Sequence, residues 1–189
     1  MQLDTKRLII RPLAESDAAA ALKVFEQSTD FLGLQTPEPP SIAMARSDIQ
    51  LAAQRGSLFC GIFKRDSGEL VGVIDFVPHS FRGQADYAWV SVLLIREPDR
   101  RQGYGTEAYQ AVEEYIFNDP TVQRIGHALL PQYEPSLKFA EQMGFERAGG
   151  PFKNKRGFGL YSFVKKRPGL PETPGEQIWK ATKRMLSEK

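Results

Sequence analysis

Tyr87-Ala88-Trp89-Val90-Ser91-Val92-Leu93-Leu94-Ile95, a break at Arg96-Glu97-Pro98-Asp99, and then Arg100-Arg101-Gln102-Gly103-Tyr104-Gly105-Thr106 decide how this chain folds. The first run is nearly continuous in apolar residues, as expected of a strand covered on both faces. The last opens a helical pattern in which Ala108, Val112, Tyr115 and Ile116 share a side, stopped by Asn118-Asp119-Pro120. A helix that starts just after such a strand offers unpaired backbone N–H groups and a partial positive charge at its first turn. Gly103 and Gly105 clear the approach to those groups, Arg100 and Arg101 add formal charge, and Thr106 adds a hydroxyl donor. The loop therefore suits a diphosphate. A glycine pair also serves as an ordinary turn, and neither GxxxxGK[ST] nor a full GxGxxG is present.

Upstream, residues 8–11 read as a first strand ended by Pro12, and Ser16 and Asp17 are candidate N-caps for a helix buried along Ala18, Ala21, Leu22 and Phe25. Thr36-Pro37-Glu38-Pro39-Pro40 reads as loop, and a second helix is expected from Ser41 to about Gln54. Leu58–Lys64 and residues 69–77 form a predicted hairpin around Arg65-Asp66-Ser67-Gly68. Downstream come a strand at 124–130, a short helix at 136–143 closed by Gly144, and a last strand pair around 145–148 and 158–165. Strand, two helices, three strands, helix, strand, helix, two strands implies an α/β or α+β sheet flanked by helices. The expected domain covers residues 1–167. Residues 168–189 follow as a proline- and glycine-rich linker and an amphipathic helix, whose stripe of Ile178, Trp179, Met185 and Leu186 would dock on the domain or on a second copy in a homodimer.

Composition excludes little. Of 189 residues, 41% are hydrophobic and 25% charged, with a net charge of +2, which is too small to imply a nucleic-acid or membrane partner. From residue 165 onward seven Lys or Arg face three Asp or Glu, a local excess that reads first as a solvated terminus. The one cysteine, Cys60, cannot form an internal disulfide and reads as buried and structural. No leader or membrane-spanning run is visible, so a cytoplasmic location is expected, and no metal site is expected.

The pattern Arg100-x-x-Gly103-x-Gly105 resembles the acetyl-CoA pyrophosphate loop of the GNAT superfamily of acetyltransferases. Thr106-Glu107-Ala108, the opening Leu3-Asp4-Thr5-Lys6-Arg7-Leu8-Ile9-Ile10-Arg11-Pro12-Leu13, and Pro135-Ser136-Leu137-Lys138-Phe139-Ala140-Glu141-Gln142-Met143-Gly144-Phe145 are similar to the RimJ/RimL-type branch. The matches stand in the family's order and span roughly residues 3–165. The resemblance implies a mixed, mostly antiparallel sheet whose fourth and fifth strands, Tyr87–Ile95 and 124–130, splay apart. It implies acetyl-CoA as co-substrate, with pantetheine paired to backbone near Leu93, Leu94 and Ile95. The pyrophosphate would rest on Arg100, Arg101, Gln102, Gly103, Tyr104, Gly105 and Thr106. Transfer to a primary amine, on a protein N-terminus or a small molecule, would proceed by direct attack on the thioester. A catalytically silent sensor or scaffold that binds acyl-CoA is the alternative reading.

Attack of this kind needs a deprotonated amine, a stabilised oxyanion and a proton for the leaving thiolate. A backbone N–H around Ile95 is the oxyanion candidate. The tyrosine that many relatives use as acid corresponds to Ala140, so Ser136 takes that place here; its other reading is a helix N-cap. Tyr133, where an asparagine is common, is a second proton source. A glutamate found on the fifth strand of some members corresponds to Ala128. The base candidates that remain are Asp75, His79, Asp86, Glu97 and His127. Asp75 is the most pointed, because a carboxylate inside an apolar strand needs a partner, either a substrate amine or an internal arginine.

Overall fold

Apolar runs bounded by turn residues become strands, and the computed structural model, which describes residues 1–36, 38–153, 157 and 159–171, joins eight of them in one sheet. In chain order these are β1 (Leu3–Asp4), β2 (Leu8–Pro12), β3 (Leu58–Lys64), β4 (Leu70–Val77), β5 (Tyr87–Ile95), β6 (Arg124–Leu129), β7 (Glu146–Lys153) and β8 (Gly159–Lys166). Their spatial order is β1-β2-β3-β4-β5-β6-β8-β7. Every neighbouring pair is antiparallel except β5 with β6. The mixed, mostly antiparallel sheet is the one expected. Its fourth and fifth expected strands are β5 and β6, because a two-residue β1 precedes the first.

Among the described residues five α-helices cover it: α1 (Ala18–Glu26), α2 (Thr29–Leu32), α3 (Ile42–Gln54), α4 (Tyr104–Phe117) and α5 (Glu134–Gln142). Helix α3 begins as its sequence requires, with Ser41 Oγ accepting the Met44 N–H at 3.2 Å. Asp17 does something other than the expected capping. Its carboxylate turns back to accept from the Ala14 N–H at 2.8 Å and from both Arg11 terminal nitrogens at 2.8 and 3.0 Å. Short helix α2 lies in a stretch for which no element was expected, and its Phe31 and Leu32 pack against the core beside α1. Helix α5 starts two residues before its expected first residue. Pro135, whose fixed φ suits a first turn, draws the start upstream, so Tyr133 is the N-cap and Ser136 lies inside the helix. The N-cap reading of Ser136 is thereby corrected. Gly144 closes α5 with a φ of 81°, as a C-terminal glycine should.

Two cores lie on the two faces of the sheet. Tyr109, Val112 and Ile116 of α4 and Ala140 of α5 pack with Leu8, Ile10, Ile62, Ile74, Phe76 and Ile125. Across the sheet, Ala21, Val24 and Phe25 of α1 and Ala45 and Ala52 of α3 pack with Phe59, Val73 and Leu94. Cys60 is fully buried in the first core, and burial pushes its thiol up to about 12, which leaves it inert. Arg167 closes the sheet at its far end. Its guanidinium donates to the carbonyls of Val122 at 2.8 Å and Phe117 at 2.7 Å, and to that of Asp119, so a cation sits at the C-terminus of α4. The stripe of Ile178, Trp179, Met185 and Leu186 lies outside the described residues. No helix among those described is long and apolar enough to cross a membrane.

One close approach sets the position of β5. Gly72 faces Ile95, and a Cβ there would come within 2.4 Å of the Leu94 carbonyl oxygen and 2.7 Å of Ile95 Cδ1. Alanine at 72 would push β5 away from β4. Gly72→Ala should cost about 3 kcal/mol of stability in urea unfolding, the upper range for overpacking a tight contact.

Candidate active site

Strand β5 is paired on both edges only for its first half. Its parallel ladder with β6 runs from Tyr87 opposite Arg124 to Val90 opposite His127, and no pair follows. On the other edge Phe76 faces Val90 and Asp75 faces Val92, so Ser91 is the extra residue of a bulge. A bulge bends its strand and increases its twist, and this one lies one residue beyond the last β5–β6 rung. At that rung His127 Nδ1 stands 2.6 Å from the Val90 carbonyl oxygen. Past it the strands diverge around a cavity of about 170 Å³. Leu93, Leu94 and Ile95 line one side, Arg100 and Gly105 the top, and Tyr133, Ser136 and His127 the other side. Residues that the sequence only suggested belonged together thus share one space.

The backbone of β5 divides its groups between the two sides. The Arg96 N–H is bonded to the Val71 carbonyl of β4 at 3.0 Å. The Ile95 carbonyl instead accepts Arg100 Nε at 2.8 Å. Strand residues alternate their hydrogen-bonding edge, so Leu93 and Ile95 turn their groups to the gap while those of Leu94 serve the β4 ladder. Leu94 lines the cavity while its side chain packs in the α1/α3 core.

At the top, Gly103 is the N-cap of α4 with φ 81° and no side chain caps the helix. The first helical bond is Glu107 N–H to the Gly103 carbonyl at 3.0 Å, which leaves the amides of Tyr104, Gly105 and Thr106 without a helical partner. A Cβ on Gly105 would meet Ile95 Cγ1 at 3.5 Å and Phe139 Cε2 at 3.8 Å, ordinary contacts. The protein's own packing does not demand glycine there. What the missing Cβ provides is open room on the cavity side.

Buried charge holds this loop rigid. Asp99 is 3% exposed and pairs with Lys64 at 2.7 Å and with Arg96. Burial alone would raise its carboxyl, but the two cations hold it below the usual range. Glu107 of α4 accepts from Thr5 Oγ1 at 2.6 Å and from Arg7 Nε at 2.6 Å, while Arg7 Nη1 donates to the Gln102 carbonyl at 2.9 Å. Tyr104 lies under the Arg7 guanidinium, 4.7 Å from its ring centre, and Gln102 bonds the Pro98 carbonyl at 3.2 Å. Both side chains thus brace the loop. Arg101 is exposed, in a left-handed conformation with φ 62°.

Arg100 is engaged elsewhere. Its two terminal nitrogens hold Asp30 of α2 at 2.7 and 2.8 Å, and Tyr133 Oη donates to the same carboxylate at 2.8 Å. The Arg100 contact holds the Asp30 carboxyl below its usual range. Burial, with Asp30 beside it, pushes the Tyr133 phenol up to about 12. Phe31 packs on Tyr133 with ring centres 5.1 Å apart. This three-residue knot across the cavity mouth was not foreseen, since only the fold brings residues 30, 100 and 133 together.

Ser136 faces the cavity from the first turn of α5, and its hydroxyl makes no hydrogen bond among the described residues. Burial lowers His127 to about 4, so its ring is neutral at physiological pH. Asp75 is not among the cavity-lining residues. Its Oδ1 is buried without a hydrogen bond; Ser57, Ser91 and Arg55 stand near the carboxylate and offset part of the burial that raises it. Asp48 on α3 is raised by the same cause, with Asp75 adding to it. His79 bonds its neighbour Ser80 at 3.1 Å, Asp86 pairs with Arg124 at 3.2 Å, and Glu97 is exposed; none of the three lines the cavity. Among the described residues no group of three or more His, Cys, Asp or Glu is placed to hold a metal.

Comparison with known proteins agrees with this architecture. Residues 7–146 match the family described as the acetyltransferase (GNAT) domain. The uncharacterised N-acetyltransferase YoaA of Bacillus subtilis is 30% identical over 151 residues, covering 78% of this chain and 84% of that protein. Two solved structures share the fold, each with a TM-score of 0.69. One is the aminoglycoside acetyltransferase AAC(6')-Ib with coenzyme A, 21% identical over 85% of this chain and 95% of its own. The other is RimL, a ribosomal L7/L12 alpha-N-protein acetyltransferase with coenzyme A, 16% identical over 88% and 98% respectively.

Asp75 supplies a pH test. A carboxyl raised in the folded state favours folding only while it is protonated, so its contribution is lost as pH rises from the unfolded carboxylate value through the folded one. Asp75→Asn should melt at a higher temperature than the parent near neutral pH. The difference should shrink to nothing as the pH falls below the ordinary carboxylate range, which thermal unfolding across pH would check.

Proposed function

The chain belongs to the GNAT acetyltransferase family and is an N-acetyltransferase, and from that premise we propose that it moves the acetyl group of acetyl-CoA onto a primary amine by direct attack on the thioester. The parting of β5 from β6 after Val90 and His127, beside an uncapped α4 N-terminus, carries the reading. One strand edge there offers free amides to an extended chain, and the helix start offers them to an anion.

The residues present fit that coenzyme. The amides of residues 104–106, with the open side of Gly105 and the charge of Arg101, suit a diphosphate. Arg100 is read as a brace, since its donors already serve Asp30 and the Ile95 carbonyl. The Ile95 N–H, whose companion carbonyl already serves Arg100, would pair with pantetheine, and the gap-facing Leu93 N–H, nearer the end of the β5–β6 ladder, is assigned as the oxyanion donor. When bound, the coenzyme supplies a thioester whose carbonyl carbon an amine can attack. The Ser136 hydroxyl, unbonded and facing the cavity, is assigned to the proton that the departing sulfur needs. The Tyr133 proton is held by Asp30, so Tyr133 is a weaker candidate. Asp75, outside the cavity lining, carries no step in this reading. All these groups lie within residues 1–167, which we take as the catalytic domain, with residues 168–189 as an appendage.

For the acceptor we favour the RimJ/RimL-like branch, hence a protein N-terminus or a small-molecule amine, on the sequence motifs at 3–13 and 135–145. Thiol release from acetyl-CoA should depend on an added amine across a panel of N-terminal peptides, aminoglycosides, polyamines and amino acids. Tight coenzyme binding with silence across the panel would favour the sensor reading instead. Gly105→Val should weaken coenzyme A binding by at least about tenfold in calorimetry at unchanged secondary structure. Ser136→Ala should lower kcat by about a hundredfold, as loss of a general acid does. Because Ser136 caps nothing, its stability cost should stay below about 0.5 kcal/mol.

A further inference from the structure

The blind end of the cavity holds a group that none of these steps uses. His127 Nδ1 is 2.6 Å from the Val90 carbonyl oxygen, which can only accept, so Nδ1 must carry the hydrogen. The other nitrogen, Nε2, is then a lone pair. It has no hydrogen bond among the described residues, it is not one of the buried polar atoms left without a partner, and the ring lines the cavity. Nε2 therefore opens onto that space. Position along β5 separates it from the coenzyme contacts: Val90 and Ile95 are five residues apart, roughly 17 Å of strand. The open end at Ile95 lies by the α4 N-terminus, and His127 lies at the closed end, where chemistry at the tip of an extended coenzyme would occur.

Resting on the acetyl-transfer reading above, we propose that His127 Nε2 accepts a hydrogen bond from the N–H of the acceptor amine, orients its lone pair toward the thioester carbon, and takes that proton as the bond forms. The nitrogen lone pair makes the new C–N bond, and the C–S bonding pair leaves on sulfur. The N–H proton passes to Nε2 and then replaces the one that the Ser136 hydroxyl gives to sulfur, so ring and hydroxyl both end the turnover as they began. The other titratable groups lining the cavity are Arg100, Tyr109 and Tyr133. Arg100 is paired with Asp30, and burial raises both phenols. None of the three competes as a proton acceptor near neutral pH. Burial lowers the imidazole to about 4, which makes it a weak base toward a free ammonium ion but a ready donor once protonated.

Two substitutions separate this role from the ring's structural bond. His127→Asn places an amide N–H where Nδ1 stands and keeps the bond to Val90 while removing the acceptor; His127→Gln returns an amide near Nε2. Hydroxylamine serves as the probe, being small and uncharged near neutral pH, alongside the best amine of the panel. We expect H127N to bind coenzyme A with unchanged affinity and to lose about a hundredfold in kcat/KM for both amines, with H127Q recovering part of the loss. In the wild-type protein, nitrogen NMR of the histidines should show His127 with its proton on Nδ1. Unchanged kcat/KM in H127N would reduce the ring to a clasp on the strand ladder. A parallel loss of coenzyme A affinity would assign Nε2 to a coenzyme amide, and a proton found on Nε2 would remove the acceptor; either overturns the proposal. Failure of the wild-type protein to bind coenzyme A would instead sink the transfer reading itself.

Discussion

A strand can satisfy its backbone on two edges, and β5 does so only as far as Val90. Everything that looks like chemistry here depends on that interruption. The extra residue at Ser91 bends β5, the close approach at Gly72 keeps its outer half against β4, and the inner edge is left facing a gap. Backbone groups that would otherwise bond a neighbour are left open to a ligand with an alternating amide chain. A continuous ladder would give a more regular sheet with nowhere to put a coenzyme.

Holding such a gap open requires stiffness around it, and ion pairs supply much of it. Lys64, Arg96 and Asp99 fix the turn between β5 and α4, and Glu107 ties the N-terminal segment to the first turn of α4. The Asp30 knot joins α2, the loop and the start of α5 across the cavity mouth. Asp99 is buried, so removing one of its partners leaves a charge with poor solvation, whereas the Arg7–Glu107 and Arg100–Asp30 pairs are more exposed and act mainly through geometry. Such networks define a single geometry more than they add net stability.

The fold was legible because its signals are local. Leu58–Lys64 and Tyr87–Ile95 begin and end where turn residues bound an apolar run, and Ser41 starts α3 by the cap that its hydroxyl allows. Gly103 and Gly144 mark helix ends through left-handed backbone that other residues avoid. The site was legible in part: Leu93, Leu94, Ile95, Arg100, Gly105, Tyr133 and Ser136 do line one cavity. Harder to read were facts that depend on pairing across the chain. No local pattern tells that Arg100 spends its donors on Asp30, 70 residues earlier, or that Asp75 sits beside Ser57 and Asp48 and outside the cavity lining. The start of α5 was misplaced because a good capping residue, Ser136, competed with a proline one position before it, and the proline's fixed φ prevailed.

The groups around the cavity share one electrostatic character. His127 is neutral, Tyr133 and Tyr109 keep their protons, and the charge of Arg100 is cancelled by Asp30. An ammonium ion would lose hydration on entering such a space and find no unpaired carboxylate among the described lining residues to replace it. The equilibrium between ammonium and amine inside the cavity therefore shifts toward the amine, the form that can attack. In the proposed reaction desolvation would supply part of what a glutamate at position 128 would do by proton abstraction, and this chain has alanine there. The same low polarity limits water's access to the thioester, which would otherwise be hydrolysed. In the proposed mechanism a weak, neutral acceptor such as His127 suffices, because an amine already deprotonated needs orientation more than a strong base.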